Sequence, residues 1–414
     1  MRDEGHRYDT VRLDGMPKHA LPQEKRGGGV PGRKERRFPR WGYRVILILA
    51  LCVLAVLGWY NRANLTPQNI AQWVQSRVVG FGVGDGYPKS IAGSAVAPGN
   101  FVSSEKNIVV ASDTALSVYN STAKEILSRP HSYGRPVLKV SGPRALLFNL
   151  GGKNFSIVTA GGQPEDFSAE QNILGGALNR NGQCALITAA DGYCGMLVSY
   201  SAQGSVQCRY WFYDYYPCAV ALSPDGGRAA VAGVSAKEGE LVSALYLIDL
   251  NSGKTVQPAA TFPGNLLLDV FWEDPSAVTA VGDKAAVTLD PSSRRTNEFS
   301  YEGEKLTACD SDTGRTALAL SAYEGAARSR LVVLGKTGSA VFSRQISGSV
   351  RSVSLCGQEA AALTGGRAFF FPLSALPGAD RSVDAGSDAQ AVSLRDESSA
   401  YILGVSEIRL IGRR

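Results

Sequence analysis

Histidine, methionine and tryptophan are scarce, at 3, 3 and 5 residues in 414. Two of the histidines, His6 and His19, lie near the start, which leaves His131 alone in everything beyond residue 44. That excludes a His-rich zinc site and argues against a Ser-His-Asp or Cys-His catalytic set. The spacings G-x-S-x-G, H-E-x-x-H and C-x-x-C are absent as well. A charge of one sign is also lacking once the chain is divided. Residues 1–44 hold 12 Lys/Arg against 6 Asp/Glu, which is the whole net +6, and the remainder carries 31 of each. The pI near 8.9 therefore reports a basic tail, not a nucleic-acid-binding domain. With one long apolar run the chain is not a polytopic membrane protein, and at 44% hydrophobic residues it is not a disordered one.

That run is Val45 to Tyr60 (VILILALCVLAVLGWY). As a helix it reaches about 24 Å against a hydrocarbon core of about 30 Å. Trp41, Tyr43, Trp59 and Tyr60 supply headgroup-level aromatics at both ends, and Arg44 snorkels outward. The following LGWYNRANLT has no Ala-x-Ala cleavage pattern, so the segment reads as an uncleaved signal-anchor. Its basic flank precedes it. The expected topology is a single-pass cell-membrane protein with its N-terminus cytoplasmic and its C-terminal domain extracellular. The predicted organisation is a disordered basic tail over 1–40, acting chiefly as a topology signal, a transmembrane helix over 41–61, and a juxtamembrane amphipathic helix over 65–80. That last helix opens at Thr66-Pro67 and carries Ile70, Trp73, Val74 and Val78 on one face. An extracytoplasmic domain over 81–414 follows.

In that domain a strand, a tight turn and a small-residue strand recur, as in Leu222-Ser-Pro-Asp-Gly-Gly-Arg-Ala-Ala-Val-Ala-Gly233. Turns fall at Ser104-Glu105, Gly142-Pro143, Asn181-Gly182, Asp225-Gly226, Asp274-Pro275, Thr313-Gly314, Cys356-Gly357 and Asp396-Glu397, spaced 38 to 49 residues apart. Third strands follow (LSVYN, FSIVTA, MLVSYS, LYLIDL, AVTLD, LVVLG, AFFFP, EIRLIG), and most repeats have a fourth. Four short antiparallel strands every 40–45 residues or so are the signature of a β-propeller blade. The fold class is all-β, a β-propeller of eight blades, with seven the alternative count. Eight sets of first to third strands but only seven clear fourth strands leave one strand to find. Tyr87-Pro88-Lys89-Ser90-Ile91 is predicted to supply it and close the ring. A pair of β-sandwiches accounts for the strands but not for the spacing.

The stretches Asp85-Gly86-Tyr87-Pro88, LSVYN, HSYGRPVLKVSGPRALLFNLGGKNFSIV and ITAADGYCGMLVSYSAQG resemble a family of membrane-anchored, propeller-like proteins from Gram-positive anaerobes, known only as a domain of unknown function. The resemblance spans roughly residues 65–410 together with the preceding membrane span. It implies topology and fold and supplies no activity, because propellers host many unrelated functions.

Gly335-Lys336-Thr337 echoes the end of a phosphate-binding loop, but the earlier Gly is replaced by Arg330, and a turn between third and fourth strands is the better account. Asp310-Ser311-Asp312-Thr313-Gly314 lacks the distant Glu of a calcium loop. Glu273 and Asp274 are adjacent, so in a strand they face opposite ways. His131 is expected in a turn. No metal, no cofactor and no catalytic residue is assigned. Cys184, Cys194, Cys208, Cys218, Cys309 and Cys356 are expected mainly as buried free thiols, with room for one or two bridges at most; Cys184 is expected opposite Ser199. The densest unusual feature is Tyr210-Trp211-Phe212-Tyr213-Asp214-Tyr215-Tyr216-Pro217, which ends one blade and enters the next. Part of it fills the space between blades. Tyr213, Tyr215 and Tyr216, joined by Tyr193 from a neighbouring loop, are the candidate ligand-binding residues, with Tyr215 and Tyr216 expected to be the most exposed. The expected function is a non-catalytic module that binds a protein or a cell-envelope ligand. An extracytoplasmic enzyme using carboxylates or a quinone cofactor, and a structural scaffold of a membrane complex, are the alternatives.

Overall fold

All eight of the turns read from the sequence join the first strand of a blade to its second. The computed structural model describes residues 82–159, 165–374 and 380–412, together with Leu49. Across residues 82–412 the described strands number 32, in eight four-stranded antiparallel sheets. Blades 1 to 7 take their strands in chain order from residues 96–130, 136–168, 173–212, 216–263, 267–300, 305–347 and 352–384. Blade 8 takes three strands from 391–412 and its outermost from Lys89–Ser90, with Lys89 opposite Ile408 and Ser90 opposite Glu407. Innermost strands of successive blades touch all the way round, blade 8 against blade 1 included. The eight-blade count and the closure by the Tyr87–Ile91 segment are thus both observed. Among the described residues no helix is long and apolar enough to cross a membrane. The basic tail over 1–40, the span over 41–61 and the helix over 65–80 lie outside the described residues.

The seam is held by more than its short strand. The Tyr87 ring lies 5.3 Å from that of Tyr401, and the Tyr87 hydroxyl donates to the Asn120 carbonyl at 2.8 Å. The fully buried Tyr401 donates from its own hydroxyl to the Lys106 carbonyl at 2.7 Å. Ile91 N–H bonds the Ser406 carbonyl, and Gly86 N–H bonds that of Thr122. Both ends of the ring are therefore fixed to blade 1.

The core lies between the blades. Alanine-rich stretches of second strands (Ala229 to Ala232, Ala360 to Ala362) are entirely buried, and larger residues of the next blade fill the room they leave. Ala219, Ala221, Ala230 and Ala232 of blade 4 pack with Val270 and Trp272 of blade 5. Small-against-large interdigitation of this kind lets sheets approach closely without voids.

The tight turns need glycine for a specific reason. At Ser223–Arg228 the Ser223 hydroxyl donates to Asp225 at 2.5 Å and accepts from the Arg228 N–H at 2.9 Å, while Gly226 takes φ +75°. A Cβ at Gly226 would run into the Gln183 side chain of blade 3. Gly226→Ala is expected to destabilise by about 1–2 kcal/mol from the left-handed backbone alone, read as a lowered urea midpoint with an unchanged spectrum.

Candidate functional site

In a propeller the loops from second to third strand, and from one blade to the next, emerge on one face. On that face blades 3 and 4 carry an exposed aromatic cluster. Tyr193 projects from the second-to-third-strand loop of blade 3. Its ring meets Tyr213 edge-on at 5.0 Å and Trp211 at 6.3 Å. Hydrogen bonding with Tyr193 pushes the Tyr213 hydroxyl up from its ordinary value, with their mutual electrostatics adding. Tyr213 and Tyr216 are each 63% exposed, the highest among the aromatics of this stretch.

Tyr215 is the correction. It is 2% exposed, its ring edge-on to Tyr246 at 6.0 Å and covered by the Lys237 ammonium at 5.0 Å. The cause is phase. Tyr210 and Phe212 point inward and Trp211 and Tyr213 outward, as strand alternation requires. Asp214 then adds an outward loop residue and returns Tyr215 to the interior. The same alternation identifies Trp211, 40% exposed and missing from the sequence-based set, as part of the patch.

Apolar surface continues inward to the mouth of the axial channel. First strands of blades 3, 4, 5 and 6 carry a bulge at equivalent places, at Leu174, Cys218, Leu268 and Thr307. A bulge leaves its extra residue unpaired. Neighbouring blades cover both faces of an innermost strand, so the solvent reaching Leu174, Cys218 and Leu268 is that of the channel. Deeper in, Lys139 of blade 2 lies 3.9 Å from Asp269 of blade 5. These blades are not neighbours, and the pair spans the axis.

Carboxylates brace the inner hairpins to each other. Asp310 accepts from Leu355 N–H at 2.7 Å, Asp312 from Gly357 N–H at 2.8 Å, and Glu273 from Thr313 N–H at 3.3 Å. Desolvation among these crowded strands, with Asp312 adding its charge, pushes Asp310 and Glu273 each up to about 7. Asp274 goes the other way, to about 2, held by Lys336 and Ser276. Among the described residues no group of three or more His, Cys, Asp or Glu is placed to hold a metal ion. His131 sits in the irregular loop that joins blade 1 to blade 2, its ring against Tyr133 at 5.0 Å and its Nδ1 accepting the Tyr133 N–H. Gly335-Lys336-Thr337 joins a third strand to a fourth.

The six described cysteines are free thiols. Cys184 and Cys208 are buried as expected and Cys194, Cys309 and Cys356 are half-buried, but Cys218 is exposed because its bulge turns it to the channel. Cys184 pairs with Tyr200, and Ser199 faces Ala185, one residue from the expected register. Burial pushes the Cys184 thiol up to about 12.

A closed ring of eight four-stranded blades with its loops gathered on two faces is an eight-bladed β-propeller. Residues 86–371 match the Family of unknown function (DUF5711), more than half of the chain, and the protein belongs to that family. Among solved structures the Dos1 propeller is similar at TM-score 0.56 and 11% identity, over 80% of this chain and 95% of that one. BamB from Moraxella catarrhalis is similar at TM-score 0.48 and 11% identity, over 78% and 100%. The WD40 domain of Neurospora crassa Pan2 reaches 0.46 at 10%, over 78% and 89%. At such identities the likeness is one of fold alone. No curated protein matches the sequence.

Proposed function

We propose that this protein is a membrane-anchored, extracytoplasmic propeller of a Gram-positive anaerobe that binds a protein or cell-envelope ligand without catalysis, on the face bearing Tyr193, Trp211, Tyr213 and Tyr216. The apolar run at Val45 to Tyr60 behind a basic tail supports the anchoring. The observation that carries the binding reading is the cluster itself. Four large aromatic side chains stand 40–63% exposed on one sector of one face, while the other large side chains among the described residues mostly fill the spaces between blades. Aromatics with polar tips lose little rotamer entropy on docking and dominate interface energetics.

The enzyme reading draws on Glu273 and Asp310, since raised carboxyls mark catalytic sites. Each already accepts a backbone N–H from the next blade, which is what a structural brace does. The test is photo-crosslinking in cells from a reactive group placed at Tyr213 in the full-length protein. A defined adduct that falls about tenfold in yield in a Tyr193→Ala/Tyr216→Ala background, with circular dichroism unchanged, is the expected result. An adduct insensitive to those changes removes this face from the function.

A further inference from the structure

The surroundings of the aromatic cluster name the chemistry of its partner. Asp191 stands in the same loop as Tyr193, and Asp214 follows Tyr213 directly. The second-to-third-strand hairpin of blade 4, over 235–241, rises beside them and adds Glu238 and Glu240. All four carboxylates are exposed. The only basic side chain among them is Lys237, and it is already engaged, with its ammonium over the buried Tyr215 ring at 5.0 Å. Tyr215 raises the Lys237 ammonium above its ordinary value, and Asp214 adds to the effect. These three loops therefore pair open aromatic faces with an acidic rim, four carboxylates to one committed ammonium, in a stretch of chain beyond residue 44 whose charges sum to zero as a whole.

We propose that this face docks a basic segment of a partner protein, an extended Lys/Arg-bearing stretch whose cationic groups lie over Tyr213, Trp211 and Tyr216 and whose remaining charge meets Asp191, Asp214, Glu238 and Glu240. The inference rests on the binding reading above and narrows it to one chemistry. Ring faces attract cations through their quadrupole, and more strongly when water is displaced. An acidic rim adds long-range attraction for a basic partner and repels anionic surfaces and acidic peptides. Leu174 and Leu268 at the channel mouth offer apolar contact for aliphatic stems, each being close to half exposed.

The test uses the full-length protein in detergent micelles and three fluorescent probes: a peptide of about twelve residues alternating Arg and Gly, its Glu/Gly counterpart, and a neutral oligosaccharide. The Arg/Gly peptide is expected to bind in preference to both others. Its affinity should fall about tenfold between roughly 50 and 500 mM salt. It should fall about tenfold again in Asp214→Asn/Glu238→Gln, and similarly in Tyr213→Ala. Equal binding of the Glu/Gly peptide, no binding of the Arg/Gly peptide, or affinity unmoved by salt and by the charge variants would overturn the proposal, as would selective capture of the oligosaccharide. Failure here is separable from failure of the parent reading. A crosslink at position 213 that needs the tyrosines but ignores Asp214→Asn/Glu238→Gln keeps the binding face and removes its cationic ligand.

Discussion

Tyr401→Ala is expected to lower the midpoint of thermal unfolding by roughly 10 °C, and Tyr401→Phe by about a quarter as much. The difference follows from what the side chain does. Its ring is wholly enclosed in the cluster that joins blade 8 to blade 1, against Val110, Ile108 and Leu403. Removing a buried aromatic costs about 3–5 kcal/mol through lost transfer energy and the cavity left behind. Replacing the hydroxyl alone forfeits the bond to the Lys106 carbonyl, about 1 kcal/mol. The location distinguishes this residue from other large core side chains. The closing strand has two paired residues, so the Tyr87 ring leaning on Tyr401 holds much of the seam. Tyr246→Ala in blade 4, also nearly buried, should cost a similar amount yet leave the seam intact. Limited proteolysis separates the two: the Tyr401 variant should be cut at 86–92 under native conditions, and the Tyr246 variant should not. Equal protection of that segment in both would show that the ring closes without the tyrosine pair.

Much of this architecture was legible because a propeller repeats its local chemistry. Turn residues with positive φ, such as Gly182, Gly226, Gly314 and Gly357, mark the same place in blades 3, 4, 6 and 7, and the spacing of these turns with the other four carries the blade count. The closing strand was legible by elimination, since one blade lacked a fourth strand. The binding face was legible only in part. Sequence shows that Tyr210 to Tyr216 is dense in aromatics but not where strand alternation stops, and the loop residue Asp214 reverses the direction of Tyr215. Register has the same limit: the Cys184 pairing depends on the exact length of the loop at Asp191-Gly192, and a one-residue error moves each partner. The bulges at Leu174, Cys218 and Leu268 leave no sequence mark, because they answer the geometry of neighbouring inner strands. The carboxylate braces were hidden too. Asp310, Asp312 and Glu273 meet backbone N–H groups of the next blade, some forty residues away in sequence for each pair.

Those braces give the fold a pH dependence of unusual sign. An ordinary paired carboxylate has a lowered pKa and stabilises the fold above it. Asp310 and Glu273 are instead raised to about 7, chiefly by desolvation, with Asp312 adding its charge to both. In the unfolded chain they titrate near 4. Between about pH 4 and pH 7 the folded state thus holds protons that the unfolded state has released. Stability is highest at the acid end of that window and declines as pH rises through it. Asp310 accounts for about 2–4 kcal/mol of the change, and Glu273, packed on its inner side but still exposed at its outer edge, for less. Other groups do not reproduce the slope. Asp274, lowered to about 2, costs stability only below about pH 4. Burial lowers the His131 pKa, which opposes the trend near pH 6. The Cys309 and Cys356 thiols, pushed up to about 12 and about 11, stay neutral throughout. The urea midpoint of the full-length protein should therefore be higher at pH 5 than at pH 8. Asp310→Asn, whose amide oxygen can still accept the Leu355 N–H, should remove most of that difference by raising the midpoint at pH 8. A wild-type midpoint that rises toward pH 8, or an Asp310→Asn variant with the wild-type slope, would show that Asp310 ionises normally and that its brace is a charged one.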